Sequence, residues 1–89
     1  MNNQEIDKTF SNKVLEIKNS NISISIEDKL KLYGLYKQAL FGNINIEKPS
    51  FFNYEQKVKW ESWNKCKNLS KVDAKTKYIN LIKILYKKN

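Results

Sequence analysis

Apolar positions recur at helical spacing along most of the chain. Ile6, Phe10, Val14 and Ile17 are four, four and three residues apart, which paints one stripe on a helix. The pattern breaks over Asn19–Ser25, where ISISI at 22–26 alternates weakly and gives the only hint of a strand. Ser25-Ile26-Glu27-Asp28 has the form of a capping box with an acid in fourth place, so a second helix is expected from there to about Phe41, with Gly42 to end it. The segment NINIEKPSFF has no helical period and contains the one proline, and it reads as a long connection over the surface. A third helix is expected near Asn53, whose side chain is placed to cap it, and should continue to about Lys67. Ser70-Lys71-Val72-Asp73 opens the fourth, which carries Tyr78, Ile82 and Leu85 at i, i+4 and i+7 with Ile79 beside them. The expected fold is all-α, four helices with an overhand loop between the second and third, in a single domain spanning 1–89.

Charge narrows the choice of partner. The chain has a formal net charge of +8, all of its 17 basic residues being lysine, which calls for an anionic partner. Lysine serves phosphate as a movable point charge but lacks the bidentate fork with which arginine reads bases, so a small phosphorylated ligand fits well. An AT-rich coding bias, which enriches Lys, Asn and Ile alike, is the blander reading and would account for most of the 17 lysines. One cysteine, Cys66, permits no intrachain disulfide, and the absence of histidine excludes the usual zinc constellations. It also excludes a catalytic triad or a histidine-activated thiol, so neither enzyme chemistry, nor a metal, nor a cofactor is expected. The N-terminus lacks the form of a secretory signal, and the apolar run YINLIKILY is short and interrupted by Lys83, which points to a cytoplasmic protein.

Two stretches carry candidate chemistry. In YGLYKQ (33–38) a helix brings Tyr33, Tyr36 and Lys37 within about 100° of one another, with Leu30 one turn earlier on the same side. Phenol hydroxyls can donate to phosphate oxygens, the rings offer a flat surface to a base, and Lys37 supplies charge. The same two tyrosines would also suit the edge of an ordinary apolar face. In KVKWESW (57–63) Lys59 and Trp63 form an i, i+4 pair with Trp60 adjacent. Such a cluster can bind single-stranded nucleic acid, or its indoles can simply fill a small core.

The runs YGLYKQALFGNINIEKP, KVKWESWN and LSKVDAKTKYI, in that order, resemble the acyl-CoA-binding protein family, also called diazepam-binding inhibitor, over nearly the whole chain. The resemblance implies an up-down-down-up four-helix bundle that binds long-chain acyl-CoA reversibly, performs no chemistry on it, works as a monomer and meets acyl-CoA-using enzymes only transiently. By the same resemblance Tyr33, Lys37 and Lys59 match positions that hold the adenine and 3′-phosphate of CoA. Tyr36 and Tyr78 match further ligand-contacting tyrosines, and Lys18 matches a basic position that reaches the phosphates. Leu30, with Val58 and Trp60, is the candidate for the acyl groove. Lys29 and Glu55 depart from the pattern, standing where an apolar residue and a lysine are common.

Two other classes stay in view. A lysine-rich nucleic-acid-binding domain would explain the charge and the aromatics, and the basic, amphipathic fourth helix would suit a peptide-like ligand of a receptor or membrane surface. The family resemblance ranks both below an acyl-CoA carrier, with no stable nucleic-acid or membrane partner.

Overall fold

The structure is a computed structural model and describes residues 1–50 and 52–89; Phe51, within the expected connection, lies outside them. Four helices follow one another: α1 (Asn3–Lys18), α2 (Ile26–Phe41), α3 (Tyr54–Asn64) and α4 (Lys71–Lys88). Their starts are set by short polar side chains. Ser25 Oγ accepts from the Asp28 N–H at 3.1 Å and Ser70 Oγ from the Asp73 N–H at 3.0 Å, while Asn2 does the same for α1, each satisfying an amide that the helix itself cannot. Gly42 ends α2 at φ 75°, a left-handed conformation that glycine adopts without a Cβ penalty.

The third helix departs from expectation at both ends. Asn53 occupies the cap position, but its side chain makes no capping hydrogen bond. At the other end α3 stops at Asn64 and not near Lys67. There the amides of Cys66 and Lys67 turn to carbonyls three residues back, at 2.9 and 3.1 Å, and Asn68 takes φ 76°. The shorter hydrogen-bonded ring tightens the chain and the left-handed residue turns it. The Asn68 amide then donates to Asn43 Oδ1 at 2.7 Å.

The core lies between α1, α2 and α4, with Ile6, Phe10, Leu32, Ala39, Ala74, Tyr78, Ile79, Ile82 and Leu85 buried. Helix α4 packs on both α1 and α2, whereas α3 packs on α2 alone, the arrangement of an up-down-down-up bundle. The α2–α3 contact is very close at one place. A Cβ on Gly34 would come within 2.3 Å of the Ser62 carbonyl oxygen, so the backbones of α2 and α3 touch there. Two indoles pin the long connection to α3: Trp60 Nε1–H donates to the Ile46 carbonyl at 2.8 Å and Trp63 Nε1–H to that of Gly42 at 2.9 Å.

The weak ISISI alternation is an inward–outward pattern in an extended connection and not a strand. Ile22 and Ile24 pack against the core, while Ser23 between them exchanges hydrogen bonds with the Asn89 side chain, both at 3.3 Å.

Candidate functional site

Helix α2 presents its functional side chains in two directions. Tyr33, Lys37 and Phe41 are spaced four apart and rise along the side nearest α3. Lys37 Nζ lies 5.7 Å from the Tyr33 ring centre, 5.0 Å from that of Phe41 and 5.8 Å from that of Trp63. Lys59 Nζ, from α3, stands 5.8 Å from the Tyr33 ring. Two ammonium groups on neighbouring helices thus share one tyrosine. Lys37 makes no ion pair among the described residues, so its charge is held by ring faces and open to an incoming anion. Lys59 Nζ is engaged by Glu55 Oε1 at 3.3 Å.

Tyr36 points the other way, toward α1. Its ring stacks with Phe10 at 6.2 Å, and Phe10 meets Tyr78 edge-on at 5.1 Å. Tyr78 is only 4% exposed. Burial, with a smaller contribution from nearby Tyr36, pushes its phenol up to about 12. Of the residues expected at the site, the structure therefore brings Tyr33, Lys37 and Lys59 together and places Tyr36 and Tyr78 in a second group around Phe10. Lys18 is exposed in the last turn of α1, with no ion pair or ring contact to either group among the described residues.

Leu30 opens a third feature. It lines a cavity of about 310 Å³ together with Leu35, Ser62, Cys66 and Leu81, and with the charged side chains of Glu27, Lys31 and Lys65. Leu35 lies about 200° round α2 from Tyr33 and from Lys37, so the cavity opens away from the lysine–aromatic cluster. Leu30 is the lining residue of α2 that turns most nearly toward Tyr33. Val58 and Trp60 are not part of the lining. Burial pushes the Cys66 thiol up, against a smaller opposing effect of Lys77, and Cys66 Sγ lies 3.6 Å from the Ser62 carbonyl oxygen.

Sequence reading missed Phe41, Leu35, Leu81 and the role of Gly34. The i, i+4, i+8 spacing of Tyr33, Lys37 and Phe41 carried a usable signal for the first. A glycine inside an otherwise regular helix carried one for Gly34, since it marks close approach of another backbone.

Residues 7–82 match the family described as Acyl CoA binding protein. The chain belongs to the acyl-CoA-binding protein family. It is 36% identical to the acyl-CoA-binding protein of Saccharomyces cerevisiae over 77 residues, covering 86% of this chain and 88% of that one. With the acyl-CoA-binding protein of Gossypium hirsutum it shares 36% identity over 81 residues, covering 91% of each. The crystal structure of Oryza sativa acyl-CoA-binding protein 2 superposes with a TM-score of 0.88 at 36% identity, covering 93% of this chain and 92% of the rice chain. Membership gives the chain the family-level activity of acyl-CoA binding.

Proposed function

We propose that the chain is a monomeric cytoplasmic carrier of long-chain acyl-CoA that holds the CoA head group on Tyr33, Lys37 and Lys59 and the acyl chain on the apolar surface that begins at Leu30. The observation that carries this reading is the pair of lysines, one per helix, set over a single tyrosine ring. The 3′-phosphate is doubly charged near neutral pH, and two ammonium groups flanking a phenol supply both charge and a hydroxyl donor. The ring faces of Tyr33 and Phe41 beside Lys37 offer flat surface to adenine. Tyr36, and Lys18 at the end of α1, extend the contact toward the remaining phosphates, while Tyr78, its ring covered by Phe10, contributes through its hydroxyl.

The tail leaves the cluster past Leu30, one turn nearer the start of α2 than the closed seam at Gly34, and enters the groove of Leu30, Leu35 and Leu81. Native mass spectrometry with a mixed acyl-CoA pool identifies the ligand. Calorimetry on a chain-length series then tests the tail. Each methylene that enters the groove should add up to about 0.8 kcal/mol until the apolar surface ends. Free CoA binding as tightly as the long-chain thioesters would sink the reading, as would saturable binding of an oligonucleotide in its place. No helix among the described residues is long and apolar enough to cross a membrane.

A further inference from the structure

Gln38 follows Lys37 directly, yet it turns about 100° further round α2 and is fully buried, at 0% exposure. Its side-chain amide donates twice, to Asn43 Oδ1 at 2.9 Å and to the Leu69 carbonyl at 2.8 Å, while its Oε1 accepts no hydrogen bond among the described residues. Asn43 Oδ1 also accepts from the Asn68 N–H at 2.7 Å, in the turn where Asn68 takes φ 76°. One buried amide thus ties the chain just past α2 to the turn between α3 and α4. The rings around Lys37 sit within this tie. Phe41 ends α2, between Gln38 and Asn43, and Trp63, near the end of α3, donates its indole N–H to the Gly42 carbonyl at 2.9 Å. Lys37 Nζ lies 5.0 Å and 5.8 Å from these two ring centres. Because α3 packs on α2 alone, the placement of its last turn beside Lys37 depends on the seam at Gly34, on the Trp63 bond and on this tie.

From this we infer that Gln38 is a positioning residue for the head-group site: by donating to Asn43 and Leu69 it holds Phe41 and Trp63 around the Lys37 ammonium and keeps that charge aimed at the 3′-phosphate. The inference rests on the role proposed for Lys37. What position 38 must supply is two donors on one planar group. Leucine would fill the space but donate to neither partner, leaving the Leu69 carbonyl without its bond. Glutamate would set a carboxylate against two acceptors. Asn43 serves as an acceptor in both of its bonds, so aspartate can stand in for it and alanine cannot.

Two measurements on the full chain separate this role from simple packing. In ligand-free protein the side-chain protons of Lys37, set among the rings of Tyr33, Phe41 and Trp63, should resonate upfield of ordinary lysine positions, and in Gln38→Leu they should move back toward them. Calorimetry then compares a long-chain acyl-CoA with the same thioester lacking the 3′-phosphate, at a temperature where circular dichroism shows every variant folded. Gln38→Leu should weaken the complete ligand by roughly three- to tenfold and change the truncated one little. Asn43→Ala should shift both readouts in the same direction, and Asn43→Asp should restore them. If Gln38→Leu does not fold, the two Asn43 variants decide. Lys37 resonances that stay in place in the variants, or equal losses for the two thioesters, overturn the proposal. A parent that binds both thioesters alike overturns the head-group reading and the proposal with it, a failure seen in the parent and not in the variants.

Discussion

Glu55 Oε1 lies 3.3 Å from Lys59 Nζ, one turn apart on α3, so the ammonium that faces the Tyr33 ring is shared with a carboxylate. Glu55 is among the positions that the resemblance marks as departing from the family pattern, and on the proposed head-group site it would compete with the ligand's phosphate for Lys59. An exposed pair of this kind contributes little to stability, about 0 to 1 kcal/mol. Glu55→Gln should therefore leave the fold unchanged and tighten long-chain acyl-CoA by about two- to fivefold. Calorimetry at two salt concentrations checks this, and the gain should shrink at the higher one.

Lys37 makes no ion pair with a carboxylate among the described residues, so its removal should have a larger effect than the gain at Glu55. A charge-assisted hydrogen bond contributes about 1.5 to 3 kcal/mol, so Lys37→Ala should weaken acyl-CoA by at least about tenfold. An acyl-CoA lacking the 3′-phosphate should bind the variant and the parent nearly alike. Equal losses for both ligands would show that Lys37 acts by packing against Tyr33, Phe41 and Trp63 and not through the phosphate.

The features legible in the sequence were local. Helix starts at Ser25 and Ser70 depend on a side chain and an amide three residues away, and both form as expected. The core stripe of Ile6 and Phe10, and that of Tyr78, Ile82 and Leu85, follow from helical spacing alone. What depended on other elements was not legible. Helical spacing put Tyr33, Tyr36 and Lys37 on one side, but the packing of α3 on α2 brings Lys59 to Tyr33, while α1, held on α4, brings Phe10 to the Tyr36 ring. The cavity proposed for the acyl chain combines Leu35 of α2, Cys66 beyond α3 and Leu81 of α4, a set that no spacing within one helix joins. The early end of α3 reflects the turn through Asn68, which is fastened by Asn43 across 25 positions of sequence.

Gly34 is where the fold leaves no room for a side chain. Helix propensity alone favours Gly34→Ala by roughly 1 kcal/mol, but the new Cβ would meet the Ser62 carbonyl oxygen at 2.3 Å. Backbone on both sides has to move, and overpacking of this kind costs typically about 1 to 3 kcal/mol. Because α3 packs on α2 alone, the strain should fall on that helix. Thermal unfolding should show a net loss of stability, and the shift of Lys59 away from Tyr33 should weaken acyl-CoA as well. A variant more stable than the parent would mean that α2 and α3 are farther apart than described.

Tyr78 is buried against Phe10, and its phenol is pushed from an ordinary 10 up to about 12, chiefly by burial. The folded state therefore keeps its proton in a range where the unfolded chain gives it up. Between those values the folded state binds more protons than the unfolded one, so stability falls as pH rises. The contribution is whole below pH 10 and is lost by about pH 12. Phenolate absorbance during an alkaline titration should show a late component that Tyr78→Phe removes. Denaturant unfolding should show the parent losing stability more steeply than Tyr78→Phe across the same window, since the ring still packs on Phe10 and only the ionisable hydroxyl is gone. Identical slopes for the two proteins would place the Tyr78 hydroxyl in water.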